Sequence, residues 1–375
     1  MAVAEQVFDV AVVGAGIVGL AHALMAARRG KRVVVIDRDA RANGASVRNF
    51  GFATATGQER GLVWRRACRS CEIWAEVAPA AGIRIEHRGA AIVARRPEAR
   101  AVLEAYLATE MGEGCRLLEP AEAAGRLPML AADRLAAVLW SGRELRMESR
   151  EAVPALARWL AEAHGVTFLR STLVRAVAPP VIETTGGRLE AETCIVCPGD
   201  EFLNLFPERI AAYGVRRCKL HMMRLAAPNW RLPAAVMSDL GIGRYAGFAA
   251  LPEGEALRRR LAAEEAGAVE NGVHLIVVQG ADGSLVVGDS HHYEETPDPF
   301  APARVDDIIL DEYRTIFAAA PPAVVERWSG TYASADRVMF VDAPAPDIRL
   351  VMVTSGTGAS TAFAIAEEVV AELFG

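Results

Sequence analysis

Three observations predict an α/β fold of two domains. One domain is built on a parallel sheet, and the other is an α+β domain on an antiparallel sheet. A β-branched strand, a glycine-rich turn, an apolar helix and a second strand follow one another near the N-terminus. A strand, a glycine turn and a long helix close the chain. Between these ends, the stretch 215–325 carries strand and hairpin patterns typical of an antiparallel sheet.

Length and composition limit the classes of protein. A chain of 375 residues has room for two or three domains. Its net charge of −6 gives no general affinity for nucleic acid or anionic lipid. No apolar stretch reaches the roughly 18 residues of a membrane helix. Glu5 and Asp9 stand where a signal peptide has positive charges, so we expect a cytoplasmic protein without a transmembrane segment.

The clearest motif is a G-x-G-x-x-G turn between the first strand, residues 10–13, and the first helix. The three glycines allow a tight turn, a close approach to a pyrophosphate and close packing of helix on strand. The helix N-terminus offers free N–H groups to phosphates, and the acid ending the second strand accepts hydrogen bonds from a ribose diol. The segment predicts a dinucleotide site and leaves FAD and NAD open. We assign to it Gly14, Ala15, Gly16, Ile17, Val18, Gly19, Asp37 and Arg38.

The next segment, ANGASVRNFGFATATGQ (42–58), has neither helical nor strand periodicity. NAD enzymes normally follow the second strand with a regular helix, so we interpret this segment as a loop along a bound flavin; a plain surface loop is the alternative. Together with the glycine turn, ASVRNFG resembles the D-amino-acid oxidase superfamily, which includes glycine oxidase, sarcosine oxidase and D-amino-acid dehydrogenase. The resemblance implies that FAD lies against Ala45, Ser46, Asn49 and Gly51, with Arg48 near the flavin ring.

The middle of the chain fits the same resemblance. A helical pattern over 151–163, with His164 and Gly165 at its end, precedes strand-like runs that finish in CIVCPGD. The superfamily brings the chain back to its FAD domain in this order. By the resemblance, Val174 contacts the adenine side through its backbone, and Pro198 and Gly199 lie at the cofactor.

The C-terminal segment, IRLVMVTSGTGASTAFAIAEEVVAEL, predicts a strand, a glycine turn and a helix. A helix N-terminus at the pyrimidine end of a flavin stabilises negative charge there after reduction. RWSGTYAS (327–334) resembles the R-x-x-G element with which the superfamily re-enters the FAD domain. No cysteine follows Cys218, so we expect non-covalent FAD. The cofactor residues assigned here are Gly330, Gly356, Thr357, Gly358, Ser360 and Thr361.

The domain prediction follows from these segments. Residues 1–85, 149–214 and 326–375 form the FAD-binding, Rossmann-like domain, and residues 86–148 and 215–325 form the substrate domain. The resemblance implies that the antiparallel sheet of the second domain covers the flavin ring. Strand signals include RRCKLHMMRLA, RYAGFAAL and a hairpin turning at 281–284. Candidate catalytic or substrate-binding residues, each with a structural role as the alternative, are Arg48, Lys219, Arg244, Tyr245, His291 and Tyr332.

We predict no metal site. The C-x-x-C pair that ends at Cys197 lies in a predicted strand, where residues three apart point to opposite faces. The pair that ends at Cys71 lies in a predicted helix without loop residues that would support zinc ligation. The HHYEE segment lacks the ligand spacing of a known metal cage.

The resemblance implies hydride removal from a carbon that bears an amine, giving an imine that water hydrolyses. No acid–base dyad is required if a small zwitterionic or anionic amine arrives unprotonated. Val286 stands where sarcosine oxidase-like enzymes have a lysine that assists the reaction with oxygen, which leaves O2 and another electron acceptor open. An FAD-dependent 2-hydroxyacid dehydrogenase on the same fold, a flavoprotein monooxygenase and a non-catalytic flavin-binding protein are the alternatives.

Four segments, SVRNFG, KLHMMR, VVGDSHHY and TSGTGASTAFAIAEE, resemble a bacterial subgroup associated with phosphonate catabolism. The segment GFATATGQ departs from that subgroup. The resemblance implies an aminophosphonate substrate such as 2-aminoethylphosphonate or its N-methyl form. A phosphonate needs arginines in its pocket, and Arg48 and Arg244 are the candidates.

Overall fold

The computed structural model describes residues 7–375. The first six residues, with Glu5 and the start of the predicted FAD-binding domain, lie outside the described part. The strands are β1 (Val7–Val13), β2 (Val33–Ile36), β3 (Phe52–Ala53), β4 (Ile85–Ala94), β5 (Cys115–Leu118), β6 (Ala137–Met147), β7 (Thr167–Leu169), β8 (Val174–Ala178), β9 (Val181–Thr184), β10 (Gly187–Val196), β11 (Arg216–Leu225), β12 (Ala235–Met237), β13 (Ile276–Gln279), β14 (Leu285–Gly288), β15 (His292–Glu294), β16 (Val324–Ala345) and β17 (Ile348–Ser355).

The helices lie between groups of these strands along the chain. They are α1 (Ile17–Arg28), α2 (Leu62–Ala80), α3 (Pro97–Leu107), α4 (Pro120–Arg126), α5 (Ser149–His164), α6 (Pro207–Ala211), α7 (Asp239–Arg244), α8 (Ala246–Ala249), α9 (Gly254–Glu264), α10 (Ala266–Glu270), α11 (Ala303–Ile316) and α12 (Gly358–Phe374). Among residues 7–375 there is no helix whose length and hydropathy would let it cross a membrane.

A parallel sheet in the order β7–β2–β1–β10–β17 forms the first domain. All four residues of β2 are buried because alternate side chains enter two different cores. Val33 and Val35 pack with α1, α5 and α12 on one face, and Val34 and Ile36 pack into a smaller core on the other. Burial on both faces explains the continuous apolar run of a parallel strand. The predicted Rossmann-like arrangement is confirmed.

A mostly antiparallel sheet, in which only the pair β12–β4 is parallel among the pairs described below, forms the second domain, and β16 joins it to the first. The first half of this 22-residue strand pairs with β11, and the second half pairs with β17. From β11 the pairing continues through β14 and β13 to β12, then through β4 to β6. The predicted hairpin at 281–284 joins β13 and β14. An α+β domain built on an antiparallel sheet is therefore confirmed, while the residue boundaries of the two domains stay a prediction.

Some of the predicted local elements are present and one is not. The helix predicted up to His164 ends there, and Gly165 follows in the left-handed conformation with φ of 66°. Segment 42–58 is irregular apart from one short helical turn and the two residues of β3. The strand predicted for RYAGFAAL is wrong, because the segment forms the end of α7 and the single turn α8. There the Gly247 N–H donates to the Gly57 carbonyl, so this segment closes over the irregular loop and does not extend the sheet.

Candidate active site

A cavity of about 820 Å³ lies between the two sheets. Parts of the chain that are distant in sequence form its wall, among them the first glycine turn, segment 42–58, β16, and the C-terminal turn that leads into α12. Ligand pockets in proteins span roughly 300–1,000 Å³, so this cavity has room for a cofactor and a small substrate. Both glycine turns, more than 300 residues apart in sequence, reach the same space.

The first glycine turn leaves no room for side chains. A Cβ atom on Gly19 would lie 1.9 Å from the Gly14 carbonyl oxygen, and one on Gly14 would lie 2.3 Å from the Cys197 carbonyl oxygen. Gly16, at the N-cap of α1, provides no side-chain cap. The α1 N-terminus therefore presents backbone N–H groups and helix-dipole charge to the cavity, as a diphosphate requires.

Asp37 supports this turn. Its Oδ2 accepts a 2.6 Å hydrogen bond from the Ala15 N–H, and its Oδ1 accepts one of 2.8 Å from the Asp39 N–H. Each carboxylate oxygen has a second lone pair that a ribose hydroxyl can use. Arg38 forms a 2.7 Å ion pair with Glu201.

Segment 42–58 is held in place by its own polar side chains. Ser46 Oγ accepts a 2.9 Å hydrogen bond from the Ile17 N–H at the start of α1. Asn49 donates to the Ala45 carbonyl and accepts from the Gly51 N–H, both at 2.7 Å. Gly51 has φ of +64°, and a Cβ there would lie 1.7 Å from the Met147 carbonyl oxygen. Gly51 thus shapes the loop, and Ala45, Ser46 and Asn49 line the cavity.

The C-terminal turn mirrors the first. Gly356 has φ of +73°, and a Cβ there would lie 3.1 Å from the Tyr332 ring. The N-cap of α12, Thr357, makes no side-chain capping bond, so the first turn of this helix leaves N–H groups facing the cavity. Ser360 Oγ accepts a 3.0 Å hydrogen bond from the Thr54 N–H and ties the helix to segment 42–58.

These features fit FAD. The α1 N-terminus would hold its diphosphate, Asp37 its ribose, and the α12 N-terminus its ring. Gly330 lets β16 pass close to Arg48, whose carbonyl oxygen would lie 3.1 Å from a Cβ at that position. Of the predicted cofactor residues, those on the wall are Gly16, Ile17, Val18, Gly19, Ala45, Ser46, Asn49, Gly199, Gly330, Gly356, Thr357, Gly358 and Ser360.

The other predicted cofactor residues lie off the wall of this cavity. Val174 is buried, and its carbonyl accepts a 2.8 Å hydrogen bond from Asn204. Thr361 donates back to the Thr357 carbonyl at 3.0 Å within α12. Their contact with the cofactor, like that of Asp37 and Arg38, stays a prediction. The full set off the wall is Gly14, Ala15, Asp37, Arg38, Gly51, Val174, Pro198 and Thr361.

Five of the predicted substrate residues line the cavity: Arg48, Arg244, Tyr245, His291 and Tyr332. We call the part around His291, where Tyr245 and Tyr332 also lie, the substrate end. Arg244, the last residue of α7, donates a hydrogen bond to the hydroxyl of Tyr293. Arg48 donates to Asn43 Oδ1 at 3.1 Å, beside the glycine of β16.

Lys219 does not join them. Alternate residues of a strand face opposite sides, and in β11 it is Leu220 that lines the cavity. The Lys219 amine points the other way and donates to the carbonyls of Asp298 and Phe300, beside a separate cavity of about 160 Å³. The prediction that Lys219 reaches the substrate is therefore wrong. Its side chain has a structural role, because it holds the loop that contains Asp298 and Phe300.

Sequence reasoning missed His274, Asp289 and Tyr293, which line the cavity beside His291. The His274 Nδ1 lies 3.3 Å from Asp289 Oδ1, and the His291 Nε2 lies 3.9 Å from Asp289 Oδ2. Burial raises the pKa of Asp289 to about 8 and lowers the pKa of both histidines well below the usual value. Asp289 was visible in VVGDSHHY, but only strand pairing brings His274 to it.

Comparison with solved structures shows the same fold. Glycine oxidase from Geobacillus kaustophilus superposes with a TM-score of 0.77 at 20% identity, covering 98% of this chain and 95% of that chain. L-proline dehydrogenase from P. horikoshii gives 0.77 at 18% identity, with 98% and 94% covered. L-alpha-glycerophosphate oxidase from Mycoplasma pneumoniae, with FAD bound, gives 0.74 at 15% identity, with 98% and 95% covered.

A search of curated protein sequences found no match to this chain. The sequence model of the family described as "FAD dependent oxidoreductase" (DAO) matches residues 9–373, almost the whole chain. The two converging glycine turns and this match together establish that the chain belongs to the DAO family of FAD-dependent oxidoreductases and that FAD is its cofactor.

Proposed function

We propose that this protein oxidises the C–N bond of a small amine or amino acid that carries an anionic group, after which water hydrolyses the imine. The family supplies the cofactor class. Three of the structural neighbours are glycine oxidase, L-proline dehydrogenase and L-amino acid deaminase, names that all denote action on amino acids. The bound FAD supplies the hydride acceptor for such a reaction.

Arg244 is the observation that carries the proposal. Its guanidinium lines the cavity, and within residues 7–375 its polar contact is the Tyr293 hydroxyl and not a carboxylate at ion-pair distance. A guanidinium left without an acidic partner in a cavity is suited to hold a carboxylate or phosphonate through two parallel hydrogen bonds. Tyr293 restricts the side chain and thereby orients the bound anion.

The surrounding wall orients the rest of the substrate. Phe50, Leu220 and Ile276 contribute apolar surface that excludes water from the reacting carbon. The hydroxyls of Tyr245 and Tyr332 stay protonated at neutral pH, because burial raises the pKa of each above its usual value. Both remain hydrogen-bond donors there. Fixing the amine-bearing carbon against such a wall lowers the entropic part of the barrier.

We further propose an aminophosphonate, such as 2-aminoethylphosphonate or its N-methyl form, as the substrate. Arg48 and Arg337 line the same cavity in addition to Arg244, whereas Arg66, also on the wall, is paired with Glu368. A phosphonate carries about two negative charges near neutrality and gains more from such a wall than a carboxylate does. A lower Kd for 2-aminoethylphosphonate than for β-alanine, its carboxylate counterpart of similar length, would support this assignment; the reverse order would contradict it.

Anaerobic titration of the yellow protein tests the reaction class. Glycine, sarcosine, D-amino acids and aminophosphonates are added in turn. The absorbance of the oxidised flavin, at about 450 nm, is followed after each addition. We expect bleaching by at least one amine and none by its hydroxy analogue. Bleaching by 2-hydroxy acids alone would replace the proposal with a 2-hydroxyacid dehydrogenase.

The electron acceptor is O2 or another oxidant. Val286, in the place of the lysine of sarcosine oxidase-like enzymes, lies in the core of the second domain and is 1% exposed. The reduced protein is mixed with air-saturated buffer and, separately, with an artificial acceptor dye. Rapid return of the yellow colour in air indicates an oxidase, and rapid return with the dye alone indicates a dehydrogenase.

A further inference from the structure

A compact polar cluster lies in the wall at the substrate end of the cavity. His274, Asp289 and His291 are 4%, 5% and 9% exposed. One ring nitrogen of each histidine and one carboxylate oxygen of Asp289 all lie within 4.8 Å of one another. The backbones of His274 and Asp289 exchange hydrogen bonds of 3.2 and 3.4 Å just beyond the ends of β13 and β14. The two strands therefore fix the carboxyl group beside both imidazole rings, whose centroids are 4.8 Å apart.

The hydrogen bond of His291 assigns its tautomer. Its Nδ1 lies 2.8 Å from the Gly272 carbonyl oxygen, which only accepts hydrogen bonds, so Nδ1 carries the proton. The Nε2 of the neutral ring then has a free lone pair, 3.9 Å from Asp289 Oδ2. A protonated carboxyl group can donate toward this lone pair, directly after a shift of about 1 Å or through a bridging water. The cluster thus contains a hydrogen-bond acceptor for the neutral, protonated form of Asp289.

Burial favours proton exchange at this carboxyl group near neutral pH. Burial raises the pKa of Asp289 to about 8, although the positive charge of Arg244 acts in the opposite direction. A group that exchanges protons in the enzyme's working pH range is a suitable base for an amine. The titratable groups that face Asp289 from neighbouring elements are Arg244, Tyr245, Cys218, His274, His291 and Tyr332.

Of these neighbours, Arg244 is the one that is charged near pH 8. Burial lowers the pKa of His274 and His291, and it raises the pKa of Cys218 to about 11 and that of Tyr245 and Tyr332 above the usual value. Within this set of neighbours, Asp289 is therefore the group expected to titrate near pH 8.

We propose that Asp289 accepts the proton that an amine substrate must lose before its C–H bond breaks, with His274 and His291 as positioning residues. This inference rests on the amine oxidation proposed above. An ammonium group has no lone pair with which to form a C=N bond. The N–H bond breaks, its electron pair stays on nitrogen, and the proton passes to a carboxylate oxygen of Asp289.

The step balances the charges of the cavity. An ionised Asp289 and a substrate ammonium, both costly to bury, become a neutral acid and a neutral amine. The anionic group of the substrate stays opposite Arg244. The sequence suggested no acid–base residue because it did not show that Asp289 and the two histidines meet.

A pair of unreactive ligands tests this role in the oxidised holoprotein. 2-Aminoisobutyrate has no C–H bond on its amine-bearing carbon and cannot be oxidised there, and isobutyrate is the same acid without the amine. Binding of each is measured from pH 6.5 to 9.5 by the change in flavin absorbance. The ammonium ligand requires ionised Asp289, so its affinity should rise up to pH 8 by as much as about tenfold per pH unit. Isobutyrate prefers neutral Asp289, so its affinity should fall above pH 8.

Asp289→Asn should flatten both profiles. Asp311→Asn, a change at an exposed carboxylate on α11 with 73% of its side chain exposed, should keep them. His291→Gln should displace the midpoint by about 0.5 pH unit or more, which a merely structural role would not do. Should Asp289→Asn not fold, the opposite trends of the two ligands in the unmodified protein decide the question alone.

Other results would overturn the proposal: one shared pH profile for both ligands, a pH dependence that survives Asp289→Asn, or a stoichiometric divalent metal ion whose removal by EDTA alters ligand binding. Flavin reduction by amines is measured separately. If amines reduce the flavin but the ligand profiles fail, only the role of Asp289 is lost. If no amine reduces it, the proposed function itself fails.

Discussion

Single glycines and arginines decide what this cavity can hold. At Gly19 a methyl group would have to displace the Gly14 carbonyl, 1.9 Å away, in the turn that we expect to approach the diphosphate. At Arg244 the charge has no acidic partner at ion-pair distance within the described residues, so it is free for a substrate anion. Each position is sensitive for a different physical reason, namely space at the glycine and charge at the arginine.

Gly19→Ala should weaken FAD binding at least about tenfold, or about 1.4 kcal/mol, because the turn must open to fit the methyl group. The flavin-to-protein absorbance ratio and a fluorescence titration of the apoprotein measure this. Gly125→Ala is the matched control, since nothing lies within 4 Å of a Cβ there and the residue lies within α4. Equal FAD affinity in both variants would contradict the assigned role of the turn.

Arg244→Lys should raise KM for the anionic amine about tenfold or more, because a lysine cannot make two parallel hydrogen bonds to the anion. FAD content should not change, since this side chain lies at the substrate end. Arg188→Ala removes an arginine that pairs with Glu183 far from the cavity and should behave as the unmodified protein. Unchanged KM in Arg244→Lys would remove this residue from the proposed anion site.

At the scale of elements, the second domain buries charge as well as apolar surface. Helix α11 places Glu312, 3% exposed, 3.4 Å from Arg95. Burial is the dominant effect and raises the pKa of Glu312 to about 7, although Arg95 acts in the opposite direction. A raised carboxyl pKa means that the folded state holds a proton that the unfolded chain releases at lower pH.

The contribution of Glu312 to the free energy of unfolding is therefore full below about pH 4.5 and is lost as the pH rises through 7. Glu312→Gln should gain stability relative to the unmodified protein between pH 5 and 7, by up to about 1.4 kcal/mol per pH unit. Thermal melting of both proteins across this range provides the difference. A constant difference in Tm would show that Glu312 does not titrate there.

At the scale of the whole molecule, the cofactor site exists only where the two ends of the chain and the second domain meet. The α1 and α12 N-termini both reach the cavity, and β16 runs continuously from the antiparallel sheet into the parallel sheet along its wall. A ligand held by all of these elements binds the folded state alone and stabilises it by mass action.

Removal of FAD should lower the Tm. Adding FAD at about 100 times its Kd should raise the free energy of unfolding by about 2.7 kcal/mol. Because no cysteine follows Cys218, acid precipitation should leave the flavin in the supernatant, free of protein. Yellow colour that remains in the precipitate would indicate a covalent bond. Equal Tm values with and without FAD would contradict the joining role of the cofactor.

Local patterns were sufficient for much of this molecule. The spacing of Gly14, Gly16 and Gly19, the apolar β2 ending at Asp37, and the C-terminal strand–turn–helix are short-range features, and they predicted the parallel sheet and both glycine turns. Each depends on backbone sterics and side-chain periodicity within about 30 residues, which a sequence records directly. RYAGFAAL was read as a strand because its short apolar run does not distinguish a strand from a helical turn that packs on Gly57.

The sequence by itself determined the cofactor class, the two kinds of sheet and most of the predicted cofactor residues that line the cavity. Only the tertiary structure decided which polar side chains meet. Lys219 and Leu220 differ by one position and face opposite sides of β11, while His274 and Asp289, 15 positions apart, become neighbours through β13 and β14. Strand register sets both outcomes, and register depends on the packing of the whole sheet rather than on any local pattern.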